Sequence, residues 1–163
     1  MENGENGLGR SPQVFTHFGG ARSQTLRKGD RMHESAVVGI VDDDESVRKS
    51  LKRIVSSHHL TVEAFGSAEE FLRCDHLPEM DCLILDVVLP GMSGLGLQDH
   101  LAAANRRIPI IFITAQDDER VRSRALQAGA QGFLLKPFSK ADLLEILDQA
   151  LKLRTADKEE LST

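Results

Sequence analysis

Short apolar runs alternate along the chain with segments in which apolar residues recur every three or four positions. The runs have the length of buried strands and lie at 37–41, 61–65, 82–85, 109–113 and 131–135. The first intervening segment places Val47, Leu51, Ile54 and Val55 on one helical face. This alternation is typical of βα units. We therefore expect an α/β fold, a doubly wound, five-stranded parallel sheet with 61–65 at an edge.

Polar residues with capping chemistry mark where the helices begin. Asp44 or Ser46 can cap the first helix, and Ser67 with Glu70 can form a capping box for the second. The other helices are predicted at 95–104, from Asp117 and Asp118 to a C-terminal Gly129, and at 139–153.

The composition indicates one ordinary globular domain with an extension. The chain has 163 residues, of which 40% are hydrophobic and 28% are charged, enough for a single core. Residues 1–35 hold six of the 13 glycines and few periodic apolar positions, so we predict a disordered extension there. Met32 is an alternative translation start. The domain is predicted at 36–153, and the polar residues 154–163 are expected to form a flexible end.

Several classes of function are disfavoured by charge and composition. The net charge of −5 argues against binding to nucleic acid, because phosphate backbones are held by excess Lys and Arg. No apolar run approaches the length of a membrane span or a secretory signal, so we expect a cytoplasmic protein. The spacing of Cys74 and Cys82 fits neither a zinc site nor a redox motif, and we expect reduced thiols.

Polar side chains follow four of the predicted strands. Three aspartates, 42 to 44, come directly after the first strand, Asp86 follows the third, Thr114 the fourth and Lys136 the fifth. The carboxyl ends of parallel strands share one rim of a sheet, where such folds bind ligands. Two carboxylates about 4 Å apart repel by about 4 kcal/mol at an effective dielectric of 20. A hard cation such as Mg²⁺ removes that repulsion, so the sequence predicts a magnesium site that can hold a phosphoryl group.

Four motifs in this order resemble the response-regulator receiver domain of two-component signalling. They are Val41-Asp42-Asp43, Leu85-Asp86 continuing through Pro90-Gly91-Met92-Ser93-Gly94, Ile113-Thr114-Ala115, and Leu135-Lys136-Pro137-Phe138. The resemblance covers roughly residues 36–152. With ten residues after Leu153, it implies a receiver that stands alone.

The resemblance assigns the acidic residues. Asp86 would be the phosphoacceptor, taking its phosphoryl group from a phosphohistidine on a sensor histidine kinase or from a phosphotransfer protein. Direct Mg²⁺ ligands would be Asp43, Asp86 and the backbone carbonyl of Val88, with Asp42 acting through water. Asp44 is left over as a helix cap, although a register error of one residue would place it in the site.

The resemblance also assigns a switch. Lys136, in a cis bond to Pro137, would pair with Asp86 and later with a phosphoryl oxygen. The hydroxyl of Thr114 would turn to the phosphoryl group and Phe133 would follow, reshaping helix four, strand five and helix five for a downstream partner. An aromatic residue in a central strand is, however, usually core.

Leu144 and Leu151 in the last helix lie beside its main apolar stripe. They either widen the buried stripe or, with the arginines at 120, 122 and 124, form a patch for a partner or a second copy of the chain after phosphorylation. The sequence leaves both interpretations open.

Three alternative functions share parts of this pattern. A phosphatase with an aspartate nucleophile needs a second carboxylate two residues later, where Val88 stands. A flavin binder of similar strand order would have its phosphate repelled by three aspartates. A receiver that only binds a partner has usually lost one key residue, and all are present here. The interpretation is therefore a regulator that assists its own phosphorylation, and not an enzyme acting on a separate substrate.

Overall fold

The computed structural model describes residues 36–75 and 77–161, in which strands and helices alternate. A short 3-10 helix, Leu77–Glu79, precedes the third strand. The strands are β1 Val37–Val41, β2 Thr61–Phe65, β3 Met80–Asp86, β4 Ile110–Thr114 and β5 Gly132–Leu135. The α-helices are α1 Glu45–Ser56, α2 Ala68–Leu72, α3 Gly94–Ala103, α4 Glu119–Gln127 and α5 Lys140–Glu160.

The five strands form one parallel sheet in the order β2-β1-β3-β4-β5. β2 lies at an edge, as predicted, and β3 is central. All seven residues of β3 are buried, which explains why this strand carries a nearly continuous apolar run. The register pairs Val41 with Leu85, Asp86 with Ile113 and Thr114 with Leu135, so the carboxyl ends of the strands are aligned.

Both faces of the sheet are covered by helices, which confirms the doubly wound α/β fold. One core contains Leu83 and Leu85 of β3 with side chains of α2, α3 and α4. The other contains Cys82 and Ile84 with side chains of α1 and α5. Alternate residues of β3 therefore enter opposite cores, as the two-residue period of a strand requires.

The capping chemistry in the sequence forms as hydrogen bonds. The Asp44 carboxylate accepts from the amide nitrogens of Ser46 at 2.8 Å and Val47 at 3.3 Å, so Asp44 and not Ser46 caps α1. Ser67 accepts from the Glu70 amide at 3.1 Å. The Glu70 carboxylate accepts from Gly66 at 2.8 Å, so this capping box closes one residue earlier than the usual form.

The predicted end of the last helix at Leu153 is wrong, because α5 continues to Glu160. Residues 154–160 are therefore helical, although their polarity gave no sign of a helix. Arg154 donates to the carbonyl of Arg107 at 2.8 Å, and Lys158 pairs with the buried carboxylate of Asp81 at the start of β3. The same carboxylate accepts from the Val37 amide at 2.9 Å. Polar contacts distant in sequence thus anchor a segment that lacks an apolar stripe.

The wide-stripe interpretation is correct for Leu151, which is 4% exposed within the α1 and α5 core. Leu144 is half-buried against the same core. Leu151 therefore cannot form part of the predicted surface patch.

The remaining expectations concern the thiols, the membrane and the first 35 residues. Cys74 and Cys82 are both reduced thiols, as predicted, and burial raises the pKa of Cys82 to about 12. Within 36–75 and 77–161, no helix has the length and apolarity needed to cross a membrane. The predicted disordered extension at 1–35 lies outside the described residues.

Candidate metal centre

Four strand ends deliver the predicted site residues to one rim of the sheet. Asp42 follows β1 directly, Asp86 is the last residue of β3, Thr114 is the last of β4, and Lys136 follows β5. The structure thus gathers residues that are 50 to 94 positions apart in the chain, as the contacts of Lys136 show.

Asp42, Asp43 and Asp86 form a carboxylate cluster. Each offers one oxygen, and these oxygens all lie within 4.8 Å of one another. Asp42 is fully buried, Asp86 is 6% exposed and Asp43 is exposed. Asp44 is outside the cluster because its carboxylate caps α1. The geometry therefore agrees with the register in which Asp42 and Asp43 are the acidic pair.

Lys136 lies against two members of this cluster. Its Nζ donates to Oδ2 of Asp42 at 2.9 Å and to Oδ2 of Asp86 at 3.0 Å. The pairing with Asp86 was predicted, whereas the pairing with Asp42 was not. The contact between Lys136 and Asp42 depends on where the ends of β1 and β5 lie in the folded sheet, which no local sequence pattern indicates. The peptide bond from Lys136 to Pro137 is cis.

Burial and charge shift the protonation of this group. Burial raises the pKa of Asp86, and the nearby charge of Asp42 adds to the effect, while hydrogen bonds from Lys136 and Val88 oppose it. Burial also disfavours the lysine cation, but hydrogen bonds to Asp42 and Asp86 outweigh it and raise the pKa of Lys136 above its ordinary value. Lys136 therefore remains cationic. The Asp86 carboxylate beside it is destabilised by burial, so a further positive charge would stabilise it.

Backbone contacts fix the two buried carboxylates. Oδ1 of Asp42 accepts from the Asp44 amide at 2.9 Å, and Oδ1 of Asp86 accepts from the Val88 amide at 3.0 Å. Arg48 of α1 donates to the Asp42 carbonyl at 2.7 Å. These bonds leave the acidic side chains little freedom to move apart.

The turn after β3 packs closely on the cluster. The Gly94 amide donates to the Val87 carbonyl at 2.9 Å. A Cβ atom at Gly94 would lie 2.2 Å from the backbone oxygen of Asp86, so only glycine fits there. The sequence indicated a turn at this point but not the reason for its second glycine.

The predicted switch residues lie to one side of the cluster. Thr114 is 1% exposed, and its hydroxyl accepts from the Gln116 amide at 3.1 Å. Phe133 is half-buried, with its ring centroid 6.3 Å from that of Phe112 and 5.9 Å from the guanidinium carbon of Arg122 on α4. Phe133 therefore contributes to the core and also reaches the surface of α4.

The donor set fits a hard divalent cation. Three carboxylates face one lysine in the cluster, so their charges are not balanced by protein groups within it. Carboxylate oxygens are the ligands that Mg²⁺ prefers, and the exposed side of Asp43 leaves room for metal-bound waters. The half-exposed Val88 lies two positions after Asp86, and its backbone carbonyl is a further candidate ligand.

Comparison with known proteins agrees with this geometry. The family model for the response regulator receiver domain matches residues 38–148. Nodulation protein W of Bradyrhizobium diazoefficiens is 48% identical over 110 residues, covering 68% of this chain and 48% of that protein. Response regulator protein TmoT of Ectopseudomonas mendocina is 44% identical over 126 residues, covering 77% and 57%. The chain thus spans about half the length of these relatives.

A solved structure of the response regulator StyR has the same fold. It superposes with a TM-score of 0.73 at 42% identity, covering 79% of this chain and 65% of that chain. The family match covers most of the chain and contains every residue of the carboxylate cluster, together with Thr114 and Lys136. The chain therefore belongs to the response-regulator receiver family.

Proposed function

We propose that this protein acts in the cytoplasm, where Asp86 accepts a phosphoryl group, in a Mg²⁺-dependent reaction, from the phosphohistidine of a sensor histidine kinase or phosphotransfer protein. The observation that carries this proposal is the placement of the Asp86 carboxylate. It is held at the end of the central strand within 4.8 Å of two further carboxylates and 3.0 Å from the Lys136 ammonium.

The reaction is an in-line displacement at phosphorus. An Asp86 oxygen forms the new bond to phosphorus, and the bond from phosphorus to the histidine nitrogen breaks, leaving its electron pair on nitrogen. The product is a mixed anhydride. Asp43, Asp86 and the Val88 carbonyl would hold Mg²⁺, with Asp42 acting through water, and the cation would offset charge on the phosphoryl oxygens. Lys136 adds a second positive charge, first toward Asp86 and then toward a phosphoryl oxygen.

Phosphorylation would be transmitted through Thr114 and Phe133. A phosphoryl group on Asp86 would draw the Thr114 hydroxyl from its bond with the Gln116 amide. Phe133 could then turn into the space released. Because the Arg122 guanidinium stacks on this ring, such a turn would change the surface made by α4, β5 and α5. That surface is where a downstream protein would bind.

Phosphorylation with acetyl phosphate and Mg²⁺, followed by intact-mass measurement, tests the proposal. The wild type should gain one phosphate adduct, which disappears in Asp86→Asn. Asp44→Asn is a matched control because it makes the same chemical change at an aspartate outside the carboxylate cluster. Asparagine also caps helices, so the cap of α1 is kept. An adduct on Asp86→Asn at the wild-type rate would reject Asp86. No adduct on the wild type would leave a binding module that acts without phosphorylation.

Asp43→Ala tests the metal assignment. It should weaken Mg²⁺ binding strongly because it removes a charged ligand of the cluster. Asp44→Ala should instead cost about 1 kcal/mol of stability through the lost cap. An equal loss of Mg²⁺ affinity in both variants would mean that the assignment is wrong by one residue and that Asp44 belongs to the acidic pair.

A further inference from the structure

A carboxylate from α2 reaches the turn that links β3 to α3. Glu69 accepts the backbone amide hydrogen of Met92 through Oε1 at 2.7 Å. Gly91, the preceding residue, has φ of +76°, and a Cβ atom there would lie 2.6 Å from the same Oε1. The carboxylate therefore packs directly against the turn backbone, and glycine provides both the left-handed conformation and the space.

The Val87 amide at the start of this turn donates to the carbonyl of Ile113 on β4, and two further bonds lie between residues at the ends of the turn. The Val88 amide donates to Asp86, and the Gly94 amide donates to the carbonyl of Val87. Glu69 holds the middle of the turn from a different element, 23 positions earlier in the chain. The bond to an ionised carboxylate is of the charge-assisted kind, which is stronger than a bond between neutral groups. The bond from Met92 lowers the pKa of Glu69, in agreement with an ionised side chain.

Glu70, the next residue, offers a comparison within the same helix. Its carboxylate accepts a backbone amide hydrogen at 2.8 Å, but from Gly66 at the start of α2. The two glutamates thus make bonds of the same type and similar length in opposite directions. Glu70 stabilises the entry to α2, whereas Glu69 contacts the turn that contains Val88.

We propose that Glu69 is a positioning residue for the metal centre. By fixing Gly91 and Met92, it restricts the turn so that the backbone carbonyl of Val88 stays beside the carboxylate cluster. Glu69 itself does not belong to that cluster. This role rests on the proposed function, because it assumes that the turn supplies a Mg²⁺ ligand.

Mg²⁺ titration of Glu69→Ala, Glu69→Gln and Glu70→Ala tests the role. The chain has no Trp or Tyr, so backbone amide NMR or calorimetry is the suitable method. Residues that orient metal ligands typically change affinity by 10-fold to 100-fold, and we expect about 10-fold weaker binding in Glu69→Ala. Glu69→Gln should stay within about two-fold of the wild type, because its amide oxygen can still accept from Met92.

Two further measurements separate positioning from general stability. Hydrogen exchange of the Met92 amide in the metal-free protein should accelerate in Glu69→Ala and be unchanged in Glu70→Ala. Glu70→Ala should lower the melting temperature and keep the wild-type Mg²⁺ affinity.

Unchanged Mg²⁺ affinity in Glu69→Ala, beside a wild type that is phosphorylated, would overturn the positioning role alone. So would equal losses of affinity in Glu69→Ala and Glu70→Ala. A wild type that neither binds Mg²⁺ nor gains phosphate would overturn this role and the proposed function together.

Discussion

Neighbouring aspartates in one short segment have three different environments. Asp42 is buried and bonded to Lys136 and to the Asp44 amide, Asp43 is exposed at the cluster, and Asp44 caps α1. Side-chain chemistry alone cannot separate them, because all three are aspartate. Their positions relative to the end of β1 and the start of α1 decide the difference.

Asp86→Asn should stabilise the metal-free protein at neutral pH. Burial raises the pKa of Asp86, so the folded state binds this proton more tightly than the unfolded state. That stabilisation is present at low pH and is lost as pH rises through the folded pKa. A neutral asparagine avoids the loss. Melting temperatures in EDTA should therefore be higher for the variant at neutral pH and converge with the wild type near the ordinary aspartate pKa of about 4.

The exposed Asp44 provides the control for this measurement, since asparagine also caps helices and Asp44→Asn should change the melting temperature little. A lower melting temperature for Asp86→Asn at neutral pH would contradict the expectation. It would show that the ion pair with Lys136 outweighs the cost of burying the Asp86 charge.

Gly94→Ala should destabilise the fold by about 1–3 kcal/mol, the usual cost of overpacking. Its methyl group would meet the Asp86 backbone oxygen at 2.2 Å, and backbone cannot move aside as a side chain can. Gly96→Ala is the matched control in the same helix, because its nearest neighbours are side-chain atoms at 3.3 Å. Urea unfolding followed by circular dichroism should show a clear loss in the first variant only. Equal midpoints would mean that the turn yields without cost.

At the scale of elements, the strands and helix caps that the sequence predicts correctly are those set by residues close together in the chain. β1 and β2 lie where the apolar runs predicted them, and Asp44, Ser67, Asp118 and Ser139 cap their helices through local hydrogen bonds. The contacts that sequence reasoning missed join distant segments: Lys136 with Asp42, Glu69 with Met92, and Lys158 with Asp81. Each contact involves a charged side chain that is equally compatible with full exposure to solvent. No local sequence pattern therefore distinguishes a charged residue that makes such a contact from one that does not.

Lys158→Ala should fray the end of α5. The ion pair with buried Asp81 is one of the contacts that hold the last two turns against the sheet. NMR chemical shifts of residues 154–160 should move toward random-coil values, while the strands keep theirs. Lys152→Ala, an exposed position earlier in the same helix, should leave those shifts unchanged. Retained helical shifts in Lys158→Ala would mean that the Arg154 contact with the Arg107 carbonyl suffices.

At the scale of the whole described domain, one sheet separates two cores, and the carboxylate cluster lies at one rim of that sheet. α4, β5 and α5 are adjacent, and their surface includes half-buried Leu144 and the arginine stacked on Phe133. Leu151 is no longer a candidate for this surface. Leu144 and the surroundings of Phe133 remain candidates for apolar contact with a partner, beside exposed Leu126 of α4 and Leu153 of α5.

Leu144→Glu tests whether that surface joins two copies after phosphorylation. Sedimentation with the phosphate mimic beryllofluoride should show a wild-type dimer, and a folded Leu144→Glu protein that remains monomeric. If Leu144→Glu does not fold, Leu144 is needed for packing of the core. If the wild type stays monomeric in the presence of beryllofluoride, dimerisation is not the response of this domain to phosphorylation.

The order of the strands along the chain also determines when the carboxylate cluster can pair with Lys136 during folding. Asp42 follows the first strand and Asp86 ends the third, but the lysine that pairs with both follows the last strand. A chain emerging from the ribosome therefore holds two buried-strand carboxylates without their cation until residue 136 is available. Because ligands that bind only the native state stabilise it by mass action, Mg²⁺ would favour the completed sheet over any partial one. The proposed Mg²⁺ ion would thus favour complete assembly of the sheet, in addition to its proposed part in phosphoryl transfer.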